Sequence, residues 1–389
     1  MRILLASFVV DSRSTGMGKW SHCMAEALEA RGHTVALWFE VDFPRSRAAG
    51  RAGFLVYPFA VAARLVRQRR DFDAVVLHEP SGLWYGLLRR LWRSLPPLIA
   101  MSHGVEAKIF EVMGIAARRG FAVRPSWAPW SAMLLRLPQS RGALRLADLV
   151  VCLSSEDQEF LARVVGVKWE RIAVMRNGVA LPPAASGRAA APGAHGVPGA
   201  PGVPAADGVS GHRVLFVGGW LDVKGRRLLP PLWASVRAVL PDARLTLAGV
   251  HAAPADVVAE FGEADRASLE VIPSVATEDE MRSLRSTHDA LIVPSLSEGS
   301  PLALLEALAA GLPVVAADVG GIPDLVRDER DALLFRFLSA AEGSRQLVRV
   351  LSEPDLAARL AAAGRERARV FTWASAAATL EGAITAAVG

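Results

Sequence analysis

Cysteine is nearly absent from this 389-residue chain. Its two examples, Cys23 and Cys152, lie in segments that read as a core helix and a core strand, with no CxxC or Cys/His spacing that could hold a metal. A disulfide scaffold and a cysteine-bound zinc site are therefore excluded, and a reduced, cytoplasmic compartment is the expectation. No run approaches the roughly 18 apolar residues of a membrane span. The opening "MRILLASFVV" lacks a small-x-small cleavage site and runs straight into "STGMGKWS", so it reads as a first buried strand and not as a leader. That second stretch also fails as a phosphate-binding GxxxxGK[ST] loop, because Arg13 stands where the first Gly belongs and Trp20 where Ser or Thr belongs. It remains a strand-to-helix turn that could approach a ligand or simply be a turn. No strand is followed by GxGxxG with a distant acidic residue, which disfavours a dinucleotide dehydrogenase. "DFD", Asp71 to Asp73, imitates a metal-binding DxD but precedes a strand instead of following one.

What is present is a long, half-apolar chain, large enough for two packed domains. Before residue 182 the apolar runs "RILLASFVV", "HTVALWF", "DAVVLH", "PLIAMSH" and "DLVVCLS" alternate with amphipathic helical stretches. After residue 212 come "HRVLFVGG", "ARLTLAG", "SLEVIPS", "DALIVPS" and "LPVVAA". Near-continuous Val, Leu and Ile runs of this length suit parallel strands covered on both faces. The expectation is an α/β chain of two parallel-sheet domains, residues 1–181 and 213–370. Residues 182–212 are almost all Ala, Gly, Pro and Val without period and read as a flexible linker.

Charge is divided unevenly. The first 180 residues hold 25 Lys and Arg against 15 Asp and Glu, within a chain of net charge +5. Residues 83–98, "LWYGLLRRLWRSLPPL", mix Trp84, Tyr85 and Trp92 with Arg89, Arg90 and Arg93. That mixture suits a helix resting on an anionic membrane surface, or an ordinary sheet-covering helix with its aromatics inward. Nucleic acid is not an expected partner.

The richest stretch is "EGSPLALLEALAAG", residues 298–311. It follows the strand-like "DALIVPS", and Ser300, Pro301 and Gly311 read as N-cap, first helical residue and C-terminal stop. Free backbone N–H groups around Gly299 to Ala303 and the positive helix end make an anion site suited to phosphate. Glu306, a little over one turn in, slants back toward that site, and its two oxygens suit the paired hydroxyls of a ribose. Glu298 can meet hydroxyls beyond the phosphates. Together these describe a nucleotide-sugar; the plainer alternative is an exposed loop charge and a polar helix edge.

Residues 294–326, "PSLSEGSPLALLEALAAGLPVVAADVGGIPDLV", resemble the Glu-x7-Glu signature of retaining glycosyltransferases of family 4, which have the GT-B fold. The likeness continues at "ADLVVCLSSEDQEFLARVVGVKWERIAVMRNGV" and "VLFVGGWLDVKG", and more loosely at "STGMGKWS", "SHGVE" and "FTWASAAATLEGAI". The resemblance implies two doubly wound, Rossmann-like domains facing a central cleft, with residues 371–389 as a final helix that crosses back to the first, donor in the second and acceptor in the first, sugar transfer to an acceptor hydroxyl with retention, and no required metal or cofactor. It also implies roles: Glu298 at the donor sugar and transition state, Glu306 on the ribose, and the N–H groups of Ser300, Pro301's neighbour Leu302 and Gly299 around the diphosphate. Lys224 would neutralise the departing diphosphate, His103 would sit near the reacting centre, and Gly16 and Gly18 would form a loop over the diphosphate. The family commonly has "VGR" where this chain has Val217, Gly218 and Gly219. A phosphate-binding Arg is thus replaced at Gly219, with Arg226 or Arg227 as candidates to stand in. The implied product lies in glycolipid, polysaccharide or other glycoconjugate synthesis. Competing readings are an inactive homologue that binds a nucleotide or partner, and a sugar-nucleotide epimerase of the same fold.

Overall fold

The computed structural model describes residues 1–13, 15–44, 46, 53–123, 135–181 and 212–388. The expected linker, 182–212, lies outside the described residues apart from His212. The chain forms two compact units. The first comprises Met1–Gly178, Ser297–Leu302 and Phe371–Gly389, and the second Val179–Leu296 and Ala303–Val370.

The first unit is built on a six-stranded parallel sheet ordered β2-β1-β3-β4-β5-β6. Its strands are β1 (Arg2–Ala6), β2 (Thr34–Trp38), β3 (Ala74–His78), β4 (Leu98–Met101), β5 (Leu149–Cys152) and β6 (Ile172–Val174). Side chains alternate between two apolar layers, as a strand's period of two requires. Leu4, Val75, Leu77, Leu98, Ala100 and Val150 enter one layer, while Ile3, Leu5, Val76, Ile99 and Val151 enter the other. Both faces are covered, which explains why these strands read as unbroken apolar runs.

The second layer also receives the helix Gly16–Glu29 through Trp20, Met24 and Leu28, and the last helix, Trp373–Val388, through Ala376, Ala377, Leu380 and Ile384. Glu381 ties that last helix to the sheet edge, accepting from Arg31 Nε at 2.6 Å and meeting His33 Nε2 at 3.0 Å. A Cβ at Gly178 would come within 2.3 Å of the Trp373 backbone, so chain and helix cross where only glycine leaves room.

The second unit holds another six-stranded parallel sheet, ordered β12-β11-β10-β7-β8-β9. Its strands are β7 (Arg213–Val217), β8 (Arg244–Ala248), β9 (Leu269–Ile272), β10 (Ala290–Val293), β11 (Val314–Ala317) and β12 (Leu333–Phe335). Beneath it, the helix Leu229–Val239 buries Leu229, Leu232, Trp233 and Val236, and Trp233 Nε1 donates to Ser268 Oγ at 2.9 Å.

Two local expectations need correcting. The helix expected across 83–98 ends at Leu91, because Trp92 leaves the helical conformation ahead of Pro96 and Pro97. Tyr85 is core, donating its hydroxyl to Pro96 O at 2.8 Å, and Arg89 is mostly covered beside Asp148. Gly16 and Gly18 form the first helical turn and not a loop: a Cβ at Gly18 would lie 2.0 Å from Ser12 O, so the turn seats directly on the preceding chain.

Candidate functional site

In open parallel sheets ligands collect beyond the carboxyl ends of the strands, where the strand order reverses. In the first unit that reversal lies between β1 and β3. A cavity of about 750 Å³ opens there. Phe8 and Val9 follow β1, His78 to Ser81 end and follow β3, and Met101, His103 and Gly104 end and follow β4. Further wall comes from Tyr57 in the helix Gly53–Arg67 and from Ile109, Phe110 and Met113 in the helix Glu106–Arg118. Lys108 pins that last helix, donating to Asp157 Oδ1 at 2.8 Å in a buried pair. Removing one partner of such a pair costs about 3–5 kcal/mol.

His103 thus lies where the sequence placed it, at a strand end facing a crevice, but it has company the sequence did not announce. The rings of Trp20, His78 and His103 pack with centroids 4.6–5.0 Å apart. Burial drives the His103 pKa down to about 4 and, with help from His103, holds that of His78 well below the ordinary value. Both imidazoles are therefore neutral at pH 7. Both nitrogens of His78, Nε2 of His103 and the hydroxyl of Tyr57 are buried without a hydrogen-bond partner among the described residues. Glu79 accepts from Ser102 Oγ at 2.7 Å and from Ser140 Oγ. Burial, then the nearby Glu106, pushes its pKa up to about 7. At the rim Arg136 grips Glu106 with two hydrogen bonds of 2.9 and 2.6 Å.

The segment Ser297–Leu302 belongs to the same unit. Asn177 holds it: its backbone N–H donates to Ser300 Oγ at 3.0 Å and its Nδ2 to Ser300 O at 2.6 Å. A Cβ at Gly299 would stand 2.9 Å from His103 O, so glycine lets this segment lie against the loop after β4. The helix itself runs Leu302–Ala310, and Ser300, expected as its N-cap, instead accepts from the buried Asn177 backbone N–H through its hydroxyl. Pro301 occupies the junction, and Glu298 is partly buried.

In the second unit the strand order reverses between β7 and β10. Gly218 and Gly219 follow β7, and Lys224 ends the short turn Asp222–Lys224. Gly225, at φ +86°, fits against Pro294, where a Cβ would approach the carbonyl oxygen to 2.1 Å. Leu296 N–H donates to Val223 O at 2.8 Å. The Lys224 turn is therefore stitched to the chain leaving β10. Arg226, a candidate to replace the missing phosphate-binding Arg, is claimed by Glu260 through two bonds of 2.8 Å, and Arg227 lies 3.5 Å from Asp222. Glu306 Oε2 accepts from Arg285 at 2.9 Å. Arg285, which no motif flagged, orients this carboxylate; Asp73, from the rejected DxD, is taken by Arg2 at 2.7 and 2.8 Å.

Comparison with known proteins decides the family. The model for Glycosyltransferase Family 4 matches residues 14–181, and that for Glycosyl transferases group 1 matches residues 211–353. This chain belongs to glycosyltransferase family 4. Among curated relatives, the D-inositol 3-phosphate glycosyltransferase of Streptomyces bingchenggensis is 37% identical over 102 residues. That match covers 26% of this chain and 22% of the relative, so the chain matches about a fifth of the relative's length. Among solved structures, the sucrose-phosphate synthase of Thermosynechococcus elongatus aligns with TM-score 0.70 at 19% identity over 98% of this chain and 97% of its own. Anabaena HepE in complex with UDP-glucose aligns with TM-score 0.64 at 15% identity over 99% and 100%. The fold of this family 4 chain is accordingly GT-B, two six-stranded parallel α/β sheets.

Proposed function

We propose that the protein transfers a sugar from a nucleotide-sugar to an acceptor hydroxyl with retention at the anomeric carbon. The observation that supports this best is the stitched arrangement at the end of β10, where the Lys224 turn is bonded to the strand exit that leads into Glu298, Gly299 and Ser300. Such a site needs fixed positive and N–H dipoles aimed at charge that grows on the departing diphosphate. Lys224 supplies the cation, the N–H groups of Gly299, Ser300 and Leu302 the dipoles, Glu306 the ribose contact and Glu298 the contact to the sugar. Gly218 and Gly219 let the diphosphate approach the backbone. With Arg226 held by Glu260, Lys224 carries the neutralisation. No side chain of these motifs is an evident nucleophile, so retention follows from attack on the same face as the departing phosphate, which takes the acceptor proton. UDP-glucose, bound by HepE, is the first donor to try. Incubation with UDP-glucose and an acceptor, followed by NMR of the product, tests the reading. An α-linked product is expected; absence of UDP release with UDP-, GDP-, ADP- and TDP-glucose alike would favour an inactive nucleotide binder.

Product destined for a membrane is consistent with the outer face of the first unit. Leu87, Leu88, Leu91, Trp92 and Phe59 are exposed there, Leu91 by 87%, and Phe59 stacks on Trp84 at 4.1 Å. Arg90 and Arg93 are exposed beside them, and Arg69 sits over the Trp92 ring. This patch suits the headgroup region of an anionic bilayer; among the described residues no helix is long and apolar enough to cross one. Co-sedimentation with phosphatidylserine vesicles at low salt should retain the protein, and Arg90→Ser with Arg93→Ser should release part of it. Each Arg is worth about 1 kcal/mol near such a surface.

A further inference from the structure

The cavity of the first unit carries information about the acceptor that the family does not. We propose that it takes an uncharged molecule with an apolar, ring-like body and a hydroxyl-bearing end, in preference to a phosphorylated polyol. The inference rests on the reading of the chain as a transferase and names the class of its acceptor.

The walls and the floor differ in kind. Phe8, Met17, Ile109, Phe110, Met113 and Leu137 line the walls, and about 750 Å³ gives room for two or three rings. The lining residues at the floor carry hydrogen-bonding groups that are themselves buried and that the described protein leaves unused: Tyr57 Oη, His78 Nδ1 and Nε2, and His103 Nε2. Buried polar groups are paired in native proteins nearly without exception, so these are addressed to a ligand or to water in its place. Each neutral imidazole offers one donor and one acceptor, and a tyrosine hydroxyl offers both, which is the complement of alcohol groups.

Charge selects against phosphate. Among the described lining residues the single cation is Arg136, and its two hydrogen bonds to Glu106 spend its fork on a carboxylate. The other charged group is Glu79, itself a carboxylate. Burial keeps His78 and His103 from becoming cations at neutral pH. A phosphate placed on this floor would meet neutral rings and carboxylates, and a charge buried without partners is strongly penalised. The same surroundings cost an apolar ring nothing and gain from covering it.

Calorimetric titration without any donor tests this directly. Two probes are compared on the full chain, p-nitrophenyl β-D-glucoside, neutral with a ring and hydroxyls, and D-myo-inositol 3-phosphate. The expected result is binding of the aryl glucoside at least tenfold tighter than the inositol phosphate. Tyr57→Phe should weaken the aryl glucoside severalfold while leaving the melting temperature unchanged or raised, since the hydroxyl has no described protein partner to lose. Met113→Trp, which fills the cavity, should weaken it at least tenfold, and Phe110→Ala, at a more exposed position, by a smaller factor. Equal or tighter binding of inositol phosphate, binding of neither probe, or an aryl glucoside affinity indifferent to both Tyr57→Phe and Met113→Trp would each overturn the inference. UDP titrated into the same preparations tests the transferase reading separately: loss of UDP binding sinks that reading, while the acceptor probes are read without it.

Discussion

The two sheets share a strand count and a parallel sense, yet their crevices differ. In the first unit the reversal between β1 and β3 is walled by Met, Phe and Ile side chains and floored by neutral imidazoles and a carboxyl group of raised pKa. In the second, the chain after β7 at the reversal carries Gly218, Gly219, Lys224 and the ion-paired Arg226. On the proposed reading, one topological position is furnished for an uncharged ligand and the other for a charged one. The rule that locates ligands at switch points names the place but not the chemistry; the chemistry comes from which residues the strand ends carry.

Three substitutions would break or sharpen that contrast. The largest effect is expected from Glu298→Gln, which should reduce kcat by roughly a hundredfold or more, the scale of losing one transition-state contact, with UDP affinity nearly intact. Steady-state kinetics beside UDP calorimetry would reveal it, and equal small losses in both would erase the separate role of Glu298.

Next is Glu79→Gln, measured as stability against pH. The folded-state pKa of Glu79 is raised to about 7 by burial and then by the nearby Glu106, against the opposing hydrogen bonds from Ser140 and Ser102. Between the ordinary carboxylate value and 7 the folded form therefore holds more protons than the unfolded one, and stability falls as pH rises through that window. The wild type should lose on the order of 2–3 kcal/mol relative to Glu79→Gln between pH 5 and 8. His78 and His103 act in the opposite sense, their depressed values costing stability as pH falls below about 6.5. Parallel denaturant profiles for wild type and Glu79→Gln across this range would remove Glu79 from its proposed environment.

Smaller again, Lys224→Ala should lower kcat about tenfold with a lesser change in donor affinity, because negative charge on the diphosphate grows as the sugar departs. Unchanged kcat with a raised KM would make Lys224 a ground-state binder.

Much of this architecture was legible before any coordinates. Five strands in each sheet announce themselves as Val, Leu and Ile runs, most of them because they are buried on both faces. β6 and β12 do not, being three-residue edge strands too short to show a period. The Leu83–Leu91 helix was overextended because Trp92 and Arg93 continue its composition, while its end is set by backbone conformation ahead of two prolines. At the sites, the "SEGSPLALLE" residues were legible as a contiguous motif. His78, Glu79 and Tyr57 were not, since each is a single residue and only the folding of β3 and of the helix Gly53–Arg67 brings them to one cavity. The signal available was the position of "HEP" at the end of a strand run, the same argument that singled out His103 one strand later.

The division of labour between the crevices is tested most directly by one calorimetric series in which UDP is titrated into wild type, Glu306→Ala and Tyr57→Phe. The carboxylate of Glu306, oriented by Arg285, should account for a charged hydrogen bond, so its loss should weaken UDP by about tenfold or more, corresponding to roughly 1.5–3 kcal/mol. Tyr57→Phe should leave UDP affinity unchanged. An unaltered affinity in Glu306→Ala, or an equal loss in Tyr57→Phe, would contradict the proposed assignment of nucleotide to Glu306 and of uncharged ligand to the Tyr57 cavity.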